Sequence, residues 1–231
     1  MNKLKLATLF CFILLSKNFY SQRWGIDPFL SFLKDQRELN IEFSYDSMTV
    51  TTSLSSVGND LETLLEPEFV AQKTDKFNKR EAGNGDKWAK DWFDAKSLYF
   101  EPKFEEEFKN RLKAVGINAI TKNTQAKYTI IIKATNITFG RIITLSSSGY
   151  MGGSHMNNNR GRKIGTYMDY FVTIVETSNH TKLMARASAK LVYGKHIPIF
   201  SITRYKAKLV GSCFERAGKM FGKSAVKAML K

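Results

Sequence analysis

An amphipathic helix running into an apolar strand, between Leu98 and Phe139, constrains this chain most, because these two pieces have the clearest periodicity in the sequence and can bury each other. Pro102 stands where a first helical residue belongs. Glu101 precedes it, and Glu105, Glu106 and Glu107 fill the opening turns, where carboxylates complement the positive end of the helix dipole. Phe104, Phe108, Leu112 and Val115 recur as one apolar stripe at helical period, while Lys109, Arg111 and Lys113 crowd the later turns. Gly116 ends the helix as a C-cap, with Ile117 folding back beyond it. Tyr128 to Phe139 is rich in β-branched residues and apolar on both faces at its start, which predicts a strand inside a sheet. The three consecutive glutamates read as dipole complement rather than as a paired-carboxylate site.

The other segments arrange themselves around that pair. Asp27-Pro28 opens a short helix carrying Leu30 and Leu33, expected to pack loosely. Ile41, Phe43 and Tyr45 alternate with polar residues, which predicts one half-exposed strand reaching about Thr52. Glu66-Pro67 opens a helix with Phe69, Val70 and Phe77. Gly83 to Asp86 breaks it, and Asp86 is expected to cap a second helix in which Trp88 and Trp92 lie at core spacing. Asp169 to Glu176 and Lys182 to Tyr193 form a hairpin; Leu183, Ala185, Ala187, Ala189 and Leu191 share one face, small enough to let a helix lie close. From Tyr205 to Leu230, Val210, Phe214, Ala217, Phe221, Ala225 and Ala228 fall on one helical face, with Arg216, Lys219, Lys223 and Lys227 opposite. Gly218 and Gly222 admit a close backbone neighbour. The expected fold is therefore α+β: a mainly antiparallel sheet of about four or five strands packed on helices, with an amphipathic C-terminal helix.

Lys3 and Lys5 precede an apolar run, Leu6 to Leu15, too short to span a bilayer and followed by polar residues, which is the layout of a secretory signal peptide over 1–21. An uncleaved anchor is the alternative. Residues 22–231 then form a single domain. Cys11 lies inside the apolar run behind Phe10, which argues against a lipidated cysteine. The formal charge is +15; cleavage after Ser21 would remove Lys3, Lys5 and Lys17 and leave +15 − 3 = +12. Such a charge suits an anionic partner, whether lipid headgroup, polysaccharide or acidic protein. Charge-driven binding of nucleic acid is a further reading, against which export argues. Cys213 alone would remain, so no intramolecular disulfide is expected, and a lone cysteine on an apolar helical face reads as a small hydrophobe.

Residues 145–163 lack apolar periodicity and are packed with Gly, Ser and Asn, which predicts a long loop carrying Arg160, Arg162 and Lys163. It matches neither the P-loop nor the dinucleotide fingerprint, and reads as a hairpin tip, with ligand contact as the alternative. The zincin, Cys-x-x-Cys, nucleophile-elbow and calcium-loop patterns are missing. His155, His180 and His196 sit at unrelated spacings, so no metal site, cofactor or catalytic residue is assigned. The candidate partner-binding residues are Arg160, Arg162, Lys163, Arg216, Lys219, Lys223 and Lys227. A competing reading makes the chain a glycan-acting hydrolase, with Asp86, Asp91 and Asp94 as its acids and Trp88 and Trp92 as sugar platforms.

From Ile41 to Lys231, the order strand, helices, strand, long loop, hairpin and terminal amphipathic helix resembles that of small α/β envelope modules of the TolB amino-terminal, CsgG and LpoB type, and of auxiliary components of lipid transporters. The end of the signal, Asn18 to Gln22, is similar to those of exported Bacteroidetes proteins. The resemblance is one of element order. It implies a non-catalytic accessory protein, periplasmic, outer-membrane associated or secreted, that binds an envelope protein or an anionic surface, and it carries over no site residue.

Overall fold

The computed structural model describes residues 30–53, 61–144, 162–194, 197–198 and 206–230. The segment 1–21, expected to be a signal peptide, and nearly all of the 145–163 loop lie outside the described residues.

The organising strand is β5 (Tyr128–Thr144), whose alternate residues Tyr128, Ile130, Ile132 and Ala134 are buried. Along one edge of β5, β6 (Arg162–Glu176) runs antiparallel, and β7 (Asn179–Tyr193) and the short β8 (Ile197–Pro198) pair with β6 in turn. Along the other edge lie β1 (Glu38–Ser44) and then β2 (Thr49–Ser53), both parallel to β5. From Ser44 to Thr49 the chain advances five residues while its partner on β5 advances three, from Lys133 to Asn136, so two residues are looped out and Ser47 takes φ 58. The single strand expected up to Thr52 is thus one edge with a bend in it. β3 (Leu61–Leu65) pairs antiparallel with β2, and β4 (Asn118–Thr121) pairs parallel with β1.

The α+β class and the predominance of antiparallel ladders are as expected. Among the described residues the sheet has eight strands rather than four or five. The additional ones, β3, β4 and β8, are five, four and two residues long, too short for an alternating pattern to stand out.

Among the described residues, four α-helices cover one face of the sheet. They are α1 (Glu66–Asn78), α2 (Asn84–Ala95), α3 (Glu101–Leu112) and α4 (Lys206–Met229). α2 and α3 are one continuous helical path, joined by a π-helical turn over Lys96–Phe100 in which the Glu101 amide donates to the Lys96 carbonyl five residues back. A helix start expected at Pro102 is therefore a helix passing through Pro102. Proline has no amide hydrogen, and its ring collides with the carbonyl four residues back; the wider turn before it removes that collision. Asp86 does not cap α2. Gly83, at φ 83, holds the N-cap, while Asp86 accepts a hydrogen bond from Asn78 Nδ2 at 3.2 Å.

The core lies between the helices and the sheet. Phe69 and Trp92 pack on Phe139, Phe104 and Phe214 on Phe43, and Tyr170 reaches the Ala217 carbonyl at 3.4 Å. Ala185 and Ala187 are buried beside Phe221 and Leu30, leaving a cleft of about 10 Å³, room for roughly one water. Leu30 and Leu33 are thus fully buried, and the turn they occupy is tightly packed, contrary to expectation. An irregularity in the β6–β7 pairing puts Val192 opposite Met168 in the core and leaves Leu183 exposed.

α3 and α4 run parallel. Gly211 faces Tyr99, Gly218 faces Phe104 and Gly222 faces Arg111, while the rings of Phe100 and Phe214, and of Phe108 and Phe221, stack at 5.4 and 5.2 Å. A Cβ on Gly218 would stand 2.3 Å from the Phe104 carbonyl oxygen. The close approach foreseen at Gly218 and Gly222 is made, and its partner is α3.

Candidate functional site

Because α4 buries Val210, Cys213, Phe214, Ala217, Phe221 and Ala225 between α3 and the sheet, its remaining face is left to solvent. On that face Lys219, Lys223 and Lys227 are exposed at intervals of four residues, a row about 12 Å long at 1.5 Å per residue. Within α4 the one acid, Glu215, stands against Lys206, Lys208, Arg216 and these three lysines. Leu230, eleven residues or three helical turns beyond Lys219, falls on the same side; its amide still closes a helical hydrogen bond to Val226, and its side chain is 72% exposed.

The parallel packing places the end of α3 beside this row. Arg111 lies against Gly222, between Lys219 and Lys223 in sequence, and exposed Lys113 follows it. Earlier on α3, Lys103 pairs with Glu106 and Lys109 with Glu105, at 3.2 and 2.6 Å. By contrast, Arg111, Lys113, Lys219, Lys223 and Lys227 make no ion pair among the described residues. Arg111 and Lys113 lie at the end of α3 and Lys227 in the last turn of α4, where the negative ends of the helix dipoles favour cations. Arg111 was legible in the sequence only as one of the basic residues in the later turns of its own helix; that it stands beside the α4 row follows from the parallel packing.

The other predicted partner-binding residues are placed differently. Arg216 is half-buried, its Nη2 donating to the Tyr193 hydroxyl at 2.7 Å and its guanidinium carbon 3.8 Å from the Tyr193 ring centre. It fastens α4 to the end of β7. Arg162 and Lys163 open β6, opposite Thr144 and Ile143, and Arg160 lies outside the described residues.

A second group of charges sits where the β1–β2 bend, the start of α1 and the π-turn meet. Glu66 is buried; its carboxylate accepts from Trp92 Nε1 at 2.8 Å and pairs with Lys96 Nζ at 2.7 Å. That ammonium lies 4.5 Å from the Tyr45 ring centre, and the Tyr45 hydroxyl donates to Glu101 at 3.2 Å. Burial, with the Glu101 carboxylate beside it, pushes the Tyr45 hydroxyl far above the usual phenol range. Burial also raises the Glu101 carboxyl, against the opposing pull of the Tyr45 hydrogen bond. Every member has a partner, so the cluster is a bracket between three elements.

Cys213 is buried, donates to the Thr166 carbonyl at 3.2 Å, and has its thiol pushed by burial up to about 12. Among the described residues no cluster of three His, Cys, Asp or Glu side chains is placed to hold a metal ion. His155 and His196 lie outside the described residues, and His180 is exposed. The glycan reading requires a cleft with aromatic platforms, and its residues do not form one. Trp92 is buried, Trp88 stacks on it at 5.9 Å and meets Phe69 and Phe77 edge-on, Asp86 and Asp91 face solvent, and Asp94 pairs with Lys90 at 2.6 Å. Among the described residues no helix is long and apolar enough to cross a membrane.

Fold and surface together define a two-layer α+β module with a basic outer helix. No family model matches the chain, and no curated protein matches it. Among solved structures it is similar to a Xanthomonas campestris protein of family DUF330, at 10% identity over 83% of this chain and 81% of that one, with a TM-score of 0.31. It is also similar to a putative neuraminyllactose-binding hemagglutinin homolog from Helicobacter pylori, at 7% identity over 84% and 88%, with a TM-score of 0.37. A DUF4136 family protein from Bacteroides thetaiotaomicron matches at 10% identity over 88% and 95%, with a TM-score of 0.31. Likenesses at this level carry no argument about function.

Proposed function

We propose that this chain is a non-catalytic accessory protein of the cell envelope, exported by its N-terminal segment, that holds an anionic surface or an envelope protein through the outer face of α4. The observation that carries the reading is the row of three exposed lysines, Lys219, Lys223 and Lys227, none with an ion-pair partner among the described residues, on a helix whose apolar face is already occupied. A solvated charged face is the ordinary fate of an outer helix. Here Glu215 is the single acid within α4, so along the helix the row carries an excess of positive charge.

The test replaces Lys219, Lys223 and Lys227 by glutamate in the tagged protein and compares capture of partners from its own envelope fraction. Loss of capture, with an unchanged circular dichroism spectrum, is the expected result. Undiminished capture by that folded variant overturns the reading.

A further inference from the structure

We infer that Arg111 of α3 joins Lys219, Lys223 and Lys227 of α4 in a single platform for an anionic bilayer surface, with Leu230 as its apolar contact. The inference rests on the proposal that the outer face of α4 is the binding face, and it names the partner.

Three observations point to a bilayer. First, the apolar face of α4 cannot serve as the membrane contact, because Val210, Cys213, Phe214, Ala217, Phe221 and Ala225 are each at most 1% exposed. Association must then be peripheral, made by the charged side of a helix that stays docked. Second, the exposed lysines of α4 are spread along a row of about 12 Å, with Arg111 against Gly222 beside them, rather than converging on a point. A small anion there meets one or two of them, whereas a plane of dispersed phosphate headgroups meets the row along its length. Third, Leu230 is the most exposed of the large apolar side chains among the described residues, and it stands on the lysine side of α4. A leucine gains nothing against a hydrated polysaccharide or a phosphodiester backbone. At a bilayer it reaches the boundary between headgroups and acyl chains, as apolar residues beside basic ones do in interfacial helices.

Each basic residue near an anionic lipid surface contributes about a fivefold gain in partitioning. The test is co-sedimentation of the protein expressed from the full-length chain with vesicles of phosphatidylglycerol or of phosphatidylcholine, at low and high salt, beside retention on a heparin column. The expected result is binding to phosphatidylglycerol only, released by salt, and weakened by roughly a hundredfold when Lys219, Lys223 and Lys227 become glutamine. Arg111→Gln, which keeps the Cβ and Cγ that pack on Gly222, weakens it by about fivefold. Leu230→Ser weakens vesicle binding while leaving heparin retention unchanged. Failure of the unaltered protein to bind phosphatidylglycerol overturns the bilayer inference; if its partner capture still depends on the α4 lysines, the proposed function stands. If Arg111→Gln binds as tightly as the unaltered protein, the two-helix platform is wrong. If the lysine-to-glutamate variant captures its partner undiminished, the proposed function falls whatever the vesicles show.

Discussion

Trp92 donates its indole N–H to the buried carboxylate of Glu66 at 2.8 Å, and Lys96 closes the same carboxylate from its other side at 2.7 Å. A core tryptophan, the first residue of α1 and the first residue of the π-turn are thereby tied at one point. Glu66→Ala removes the shared acceptor and leaves an ammonium of which only 18% of the side chain is exposed without its counter-charge. We expect a loss of about 3 kcal/mol in urea unfolding, at the low end for a broken buried pair because Lys96 keeps some water. Trp92→Phe, which leaves the pair intact, should cost less, about 1–2 kcal/mol. Equal midpoints for both variants and the unaltered protein would show that the bracket contributes nothing.

Gly218→Ala sets two effects against each other. Alanine is the better helix former by about 1 kcal/mol, but its methyl would stand 2.3 Å from the Phe104 carbonyl oxygen, which is backbone and cannot swing away. Overpacking wins, and the variant should be less stable by about 2 kcal/mol with α3 and α4 pushed apart. A stabilised variant in thermal unfolding would mean that the helices are not in contact at this position.

Arg216 and Lys223 should behave oppositely. Arg216→Gln loses the Tyr193 hydrogen bond and the cation–ring contact, and should cost about 1–2 kcal/mol in stability while leaving partner capture intact. Lys223→Gln should leave the unfolding midpoint unchanged within about 0.5 kcal/mol and weaken capture. Parallel urea melts and capture assays on the two variants decide it; a reversed pattern would make Arg216 the binding residue.

Alkaline pH should unfold the protein early. The Cys213 thiol rises from 9.0 to about 12 in the folded chain, and burial also raises the Tyr170 hydroxyl. Since the unfolded chain gives up the thiol proton first, the stability held by the neutral thiol is complete below about pH 9 and is lost as pH climbs towards 12. Iodoacetamide at pH 8 should spare Cys213 in the native protein and alkylate it in urea. Rapid native labelling would contradict its burial.

Much of this architecture could be read in the residues because the long elements carry long patterns. The stripe from Phe104 to Leu112, the β-branched run of β5 and the lysine row of α4 each span several periods, and each lies where its pattern places it. What escaped was set by tertiary pairing. β3 and β4 are too short to announce themselves and exist as strands because β2 and β1 offer them an edge. The continuity of α2 into α3 was hidden by Pro102, a local stop signal overridden by the π-turn. Arg111 joined Lys219 and Lys223 only through the parallel packing of two helices more than a hundred residues apart, and nothing in either helix alone states which side the other will take.

The placement of β1 against β5 also fixes an order of events. Asn40 pairs with Thr129, 89 positions later, and the other edge of β1 waits for Glu38 to meet Asn118. Leu39 and Ile41, buried on both sides in the finished sheet, have no lasting partner until more than half of the chain has been made. Non-local parallel pairing of this kind is slow and leaves apolar strand exposed meanwhile. A polypeptide built this way reaches its final shape late and from its middle outward, and its earliest segment depends longest on whatever keeps a nascent chain from sticking to its neighbours.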